Sequence, residues 1–299
     1  MFDDDPRWGD DPRARDDDPR DLDTRDRDPI DPRDVFMRDL DLPHDLEREH
    51  VHTVDHDYTL RGSETRTLSI VGAFRSVPAS DLRDTFGHAL DPRQGELWHL
   101  REQGLVQTHQ LGRDTTVVTL TREGRDLLES RQRDDDARER QSFHDGIQRP
   151  RELKHDAELY RAYLQEAERL REEGANIHRI ILENDLKAEY QSFLQERNRD
   201  REESDGRTDS SIGEIEAWAH DHDLPCDDEG HVLFPDVRIE YDIDGRDHTL
   251  DVEVLTPHYR GAHASAKSGA GFACYGRCGG GHSGSRGGGI PHGFAEELL

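Results

Sequence analysis

Hydrophobic positions are sparse along this chain, and the period at which they recur changes from segment to segment. Before residue 60 no period is visible. The unit Asp-Pro-Arg recurs instead, at Asp5-Pro6-Arg7, Asp11-Pro12-Arg13, Asp18-Pro19-Arg20 and Asp31-Pro32-Arg33. Proline every few residues forbids a continuous helix or central strand, and alternating charge offers nothing to bury. Residues 1–60 are therefore expected to be a disordered arm.

From Arg61 the texture becomes helical. Leu68, Val71 and Phe74 follow Ser63, a candidate N-cap; Ser80 opens a second predicted helix, with Leu82 and Phe86 inward and Gly87 as its stop. The third helix is the best signalled, with Asp91 as cap, Pro92 at the first helical position, Gln94 closing a capping-box-like pair, Leu97 and Leu100 inward, and Gly104 at the end. Two β-rich runs, 105–111 and 115–121, flank Gly112-Arg113-Asp114, and Thr121 caps a fourth helix carrying Leu127 and Leu128. Three helices, a hairpin and a closing helix predict a winged helix-turn-helix over 61–135.

Past a charged connector, Leu153, Ala157, Tyr160, Leu164 and Ala167 mark a helix that Gly174 ends, and Ile177 to Leu182 reads as a buried strand. Asn184 is expected to cap a helix presenting Leu186, Tyr190 and Phe193. The stretch 197–209 reads as a loop, and Ser211 with Glu214 forms a capping box ahead of Ile215, Trp218 and Ala219.

The most chemistry lies between Val232 and Thr256. Val237, Ile239, Tyr241 and Ile243 alternate with charged residues, as do Leu250, Val252 and Val254, around the type I′ turn signal Asp244-Gly245. With those two residues as the turn, Val237 faces Val252 and Ile239 faces Leu250. The same register sets Asp236 opposite Glu253 and Arg238 opposite Asp251. Opposed carboxylates repel unless they are exposed, protonated or bridged by a cation. Mg²⁺ suits such a pair, since it accepts few carboxylates and keeps waters, one of which can attack a phosphodiester. The competing reading is a solvent-facing, acid-rich sheet.

Composition qualifies this picture. Only 31% of residues are hydrophobic, 36% are charged, and the net charge is -28. Such a balance argues against a nucleic-acid partner. The basic residues are nearly all Arg, with Lys only at 154, 187 and 267, which fits a GC-rich genome or a salt-loving host. In molar salt the Debye length shrinks to about 3 Å, so a local basic patch would suffice. Residues 2–50 lack the apolar core of a signal peptide and no apolar run reaches membrane-spanning length, so a soluble cytoplasmic protein with no membrane partner is expected. Cys274, Cys278 and His282 lie close together but need the distant Cys226 to complete a tetrahedral site, so zinc is not expected. The segment His258 to His263 has the basic and aromatic character that suits phosphate contact, and residues 276–299 read as a flexible Gly-rich tail.

Three resemblances sharpen the expectation. Leu97, Leu100, Gly104-Leu105, Gly112, Leu120-Thr121 and Gly124 resemble the pattern of small MarR-like DNA-binding domains. That resemblance implies a third helix in the major groove, with Arg93, Gln94 and Arg101 facing DNA and Arg113 on the wing. Phe234-Pro235-Asp236 followed by Asp251-Val252-Glu253 resembles the core of PD-(D/E)XK nucleases. This implies that Asp236 and a second acid hold the metal, while a Lys two residues on polarises water. If Asp251 is the second acid, Glu253 stands at the Lys position; if Glu253 is, Leu255 does, and Lys267 is the candidate replacement. As a whole, a winged helix, then Lys154-His155-Asp156-Ala157-Glu158-Leu159-Tyr160, then Pro235-Asp236 and an acidic strand before an aromatic-basic segment resemble, over about residues 61–275, replication-relaxation and mobilisation accessory proteins of plasmids and integrated elements. The expected architecture is α+β: a winged helix, then a mixed α/β nuclease-like domain over 150–275. The expected role is a double-stranded-DNA-binding accessory protein, partnered by a relaxase or replication initiator, with Asp236, Asp251, Glu253 and Lys267 as candidate catalytic residues. The alternatives are a winged-helix transcriptional regulator whose C-terminal domain is not catalytic, and a scaffold built for protein contact.

Overall fold

The computed structural model describes residues 31–113, 115–133, 139–147, 153–196, 211–227, 229–255 and 267–276, and the fold is α+β. The Asp-Pro-Arg units before residue 31, the segment 258–263 and residues 277–299 lie outside them. Residues 31–60, expected to continue the arm, are folded. A 3-10 turn at Val35–Met37 and a hairpin of β1 (Glu49–His52) and β2 (Asp57–Leu60) bury Val35, Phe36, Met37, Leu40, Leu42, Val51, Tyr58 and Leu60. Those side chains cover the outer side of α1 (Gly62–Phe74), where every residue except Arg66 is buried. The helix is thus a central element and not the amphipathic surface helix its sequence predicts. It starts at Gly62, before Ser63, because the Glu64 carboxylate accepts the Arg61 backbone N–H at 3.2 Å. A Cβ at Gly62 would lie 2.1 Å from the His44 carbonyl oxygen, so only glycine fits there.

After β3 (Val77–Pro78), the helix expected from Ser80 to Gly87 does not form. The Asp84 carboxylate accepts the backbone N–H groups of Phe86 and His88, at 2.9 and 2.8 Å, and this local bonding displaces the helical pattern. Leu82 is buried as expected, whereas Phe86 is 80% exposed. The next helix, α2 (Gly95–Glu102), starts three residues after Pro92. Asp91 accepts from Arg93 N–H at 2.9 Å in a separate turn, and Gly95 takes a φ of 68°, which breaks the helical course between turn and helix. Arg93 and Gln94 therefore precede α2. Leu97 and Leu100 are fully buried, as their spacing predicts.

Strands β4 (Val106–Leu111) and β5 (Thr115–Leu120) form the expected hairpin, and β3 adds to β5 in the order β3-β5-β4. Thr121 caps α3 (Arg122–Ser130), its hydroxyl accepting from Gly124 N–H at 3.0 Å. The second half runs α4 (Leu153–Glu172), β6 (Asn176–Leu182), α5 (Glu183–Glu196), α6 (Ile212–Asp221), β7 (Val237–Ile243), β8 (Arg246–Leu255) and β9 (Ala273–Gly276). Helix α5 begins directly at the end of β6, so Asn184 sits inside its first turn and does not cap it. Ser211 and Glu214 do form the capping box of α6. The sheet order is β6-β7-β8-β9, antiparallel except for the parallel last pair. Asp244 and Gly245 take φ values of 53° and 72°, and Val237 pairs with Val252 as the type I′ register requires.

The two halves share one continuous core. Phe74 of α1 packs against Phe36, Tyr160 and Tyr163 with ring centroids 5.7, 5.2 and 5.1 Å apart. Ion pairs Arg75–Asp156 at 2.9 Å and Arg161–Asp81 at 2.6 Å brace the same junction. Among the described residues no helix is long and apolar enough to cross a membrane. Truncating Phe74 to Ala should cost about 3–5 kcal/mol, as for other fully buried aromatics. Hydrogen exchange should report the loss on β6–β8 as well as on α1. Protection lost around α1 alone would contradict a shared core.

Candidate functional site

Asp236 immediately precedes β7 and Glu253 lies on β8, one step beyond the Val237–Val252 pair, so the register sets them opposite each other. Both are withdrawn from solvent, with exposures of 8% and 1%. Each carboxylate has a cation. Lys267, in the helical turn before β9, donates from Nζ to Glu253 Oε2 at 2.6 Å and to the Phe234 carbonyl at 2.9 Å. His155, in the first turn of α4, places Nε2 3.1 Å from Asp236 Oδ2, and the Val254 backbone N–H donates to the same oxygen at 2.7 Å. Burial alone would lower the His155 pKa, but hydrogen bonds to Asp156 and Asp236, with the charges of both, raise it to about 10. The ring is therefore an imidazolium at neutral pH and donates to Asp236.

Asp251 does not join this group. Arg238 grips it with a two-pronged contact, Nε and Nη2 at 2.7 and 2.9 Å from its two oxygens, and also donates to the carbonyls of His222 and Asp223. A planar fork so fully matched leaves Asp251 committed to Arg238. Glu253, not Asp251, is the acid of β8 left beside Asp236, and Lys267 reaches it from outside the strand.

Sequence reasoning did not place His155 or Cys274 beside the acids. His155 belongs to the Lys154-to-Tyr160 motif, but it lies 81 residues from Asp236 and nothing in that spacing ties the two together. Cys274 pairs with Glu253 in the β8–β9 register, and burial first, then the Glu253 charge, push its thiol up to about 11. It is a neutral thiol and a poor nucleophile. Cys226 is likewise a free thiol, while Cys278 and His282 lie outside the described residues.

Among the described residues, no group of three or more His, Cys, Asp and Glu side chains is placed to share a metal ion. Magnesium asks for less, because it is commonly bound through one or two carboxylates and keeps its waters. Asp236 and Glu253 fit that requirement in kind and number.

A second candidate surface surrounds the start of α2. Arg93, Gln94 and Arg113 are exposed, the last at the tip of the β4–β5 hairpin. Most of the described arginines are ion-paired, but Arg93 and Arg113, like Arg83 and Arg246, have no carboxylate partner among the described residues. Arg101 behaves differently, as its Nη1 donates to the Pro92 carbonyl at 3.2 Å and its Nη2 lies 3.5 Å from Glu102. It braces the turn that carries Arg93.

The imidazolium sets a pH dependence. Its folded-state pKa lies above the ordinary value of 6.5, so its stabilising effect is complete below about pH 6.5 and is lost as pH rises through about 10. In metal-free protein, the His155 ring should titrate near pH 10 by NMR, and His155→Ala should flatten the fall in stability over that window. A ring that titrates near 6.5 would contradict the pairing with Asp236.

Compared with protein families, with curated proteins and with solved structures, the chain matches none.

Proposed function

We propose that this chain is a DNA-binding protein in which a winged helix is packed on a PD-(D/E)XK-like domain. The order α1-β3-α2-β4-β5-α3 supports the winged-helix reading, with a fixed turn in place of the second helix. Helix α2 is then the reading helix and the β4–β5 hairpin the wing. The observation that carries the DNA reading is the pair Arg93 and Arg113. In a chain with 68 acidic residues, two exposed guanidinium groups with no carboxylate partner among the described residues, one just before that helix and one at the tip of that wing, suit phosphate oxygens. Arg101 serves by holding Arg93 and Gln94 in place.

The second domain has helices α4, α5 and α6, three antiparallel strands β6, β7 and β8, and a fourth strand β9 parallel to β8, with one acid just before β7 and another on β8. The Lys267–Glu253 contact favours a magnesium-dependent nuclease as the catalytic form of this reading. Asp236 and Glu253 would hold the ion, which would supply a polarised water and charge stabilisation at the phosphate. Lys267 orients Glu253, and His155 with the Val254 N–H orients Asp236. The setting proposed is that of an accessory protein of a mobile element, acting on duplex DNA beside a relaxase or replication initiator.

Salt titrations of duplex binding test the first domain. Replacing Arg93 and Arg113 with Ala should lower the slope of log K against log salt by about two, since each lost phosphate contact removes about 0.9. An unchanged slope and affinity would remove the DNA-binding assignment. For the second domain, magnesium-dependent nicking of supercoiled plasmid should be lost in Asp236→Asn. Wild-type protein that binds duplex yet never nicks, or a variant that nicks equally well, would leave a regulator without a catalytic site.

A further inference from the structure

The chain builds one turn twice. Asp84-Thr85-Phe86-Gly87-His88 and Asp227-Asp228-Glu229-Gly230-His231 share the pattern Asp-x-x-Gly-His. In the first, Asp84 Oδ1 accepts from the N–H groups of Phe86 and His88 at 2.9 and 2.8 Å; in the second, Asp227 Oδ1 accepts from Glu229 and His231 at the same distances. The closing backbone bonds match as well, and Gly87 and Gly230 take φ values of 82° and 81°. Both turns hold their third residue out in solvent, Phe86 at 80% exposure and the Glu229 side chain at 81%.

The turn therefore does not require phenylalanine. At the equivalent position of the second copy the chain places a charged residue, the ordinary choice for a position held in water. Phe86 is also fixed in place, because neighbouring Thr85 is tied to Glu96 of α2 by its hydroxyl at 3.1 Å and its N–H at 3.3 Å, and to Ser63 at 3.0 Å. Trp98, on α2 itself, is 42% exposed. Phe86 thus stands on the turn before, and Trp98 on the helix after, the Asp91 turn that carries Arg93.

We infer that Phe86 and Trp98 are stacking contacts for exposed bases, and that the DNA preferred by this face is locally unpaired or unstacked duplex. Phosphates have no use for a rigid apolar ring, and a fully stacked duplex offers few flat apolar faces. A splayed base offers one, and aromatic wedges and platforms gain affinity from such contacts. The inference rests on the DNA-binding reading above and names its substrate class.

Binding should be measured by fluorescence anisotropy at one salt concentration, on a fully paired duplex and on the same duplex with a central mismatched bubble. Wild-type protein should bind the bubble roughly tenfold more tightly, the size of one good base–aromatic contact. Phe86→Ser should remove most of that preference and leave paired-duplex affinity unchanged, and Trp98→Ala should lower the ratio of bubble to duplex affinity as well, while Trp98→Phe retains it. Phe86 is exposed, so its variant should keep the wild-type circular dichroism. Equal wild-type affinity for both duplexes, or a preference that survives Phe86→Ser, overturns the inference while the DNA-binding reading stands. A wild-type self-association abolished by Phe86→Ser, with bubble preference intact, assigns the ring to protein contact and also overturns it. No binding of wild type to either duplex removes the DNA reading itself, and this inference with it.

Discussion

Two carboxylates buried on facing strands are tolerable only with compensating charge in hydrogen-bond reach, because an unpaired buried ion is expensive. The structure meets this demand with side chains drawn from distant parts of the chain. His155 stands against Asp236, Lys267 against Glu253, and Arg75 against Asp156. Three negative groups thus meet three positive ones. The hairpin register alone leaves the conflict at Asp236 and Glu253 to a divalent cation, yet the fold holds the pair in place with its own cations. A magnesium ion at this site would then serve chemistry and not folding.

The same demand links the halves of the molecule. Asp156, next to the imidazolium, is paired with Arg75 just beyond the end of α1, so the charge network of the acid site runs into the first half. Around it Phe36, Phe74, Tyr160 and Tyr163 close a single apolar junction. Small core displacements are poorly tolerated in such packing, so the acid site and the face around α2 are held in a fixed relation. On the proposed reading, in which one half binds DNA and the other processes it, that rigidity would set the distance between contact and chemistry.

What the sequence made legible followed from local rules. The β7–β8 register needed only alternation and Asp244-Gly245; the caps at Thr121 and Ser211 needed only a hydroxyl ahead of an apolar run. What it concealed depended on partners far along the chain or on competition between local bonds. The folding of residues 31–60 was hidden because Val35, Phe36 and Leu40 are diluted among Asp, Pro and Arg, and their value lies in covering α1. The helix expected at Ser80 yielded to the Asp84 carboxylate, and the expected start of α2 at Pro92 yielded to Gly95. Candidate ligands fared unevenly for a similar reason. Asp236, Glu253 and Lys267 come together, whereas Asp251, equally acidic and two residues from Glu253, faces an arginine whose fork takes both its oxygens.

The Lys267–Glu253 contact is the point at which charge balance, fold and candidate chemistry meet, and a double-mutant cycle on folding stability measures it most directly. Glu253→Gln and Lys267→Met should each destabilise the fold, and the double variant should lose clearly less than the sum of the two. Costs that simply add, with no recovery in the double variant, would mean the two groups are not a buried pair and would contradict the account.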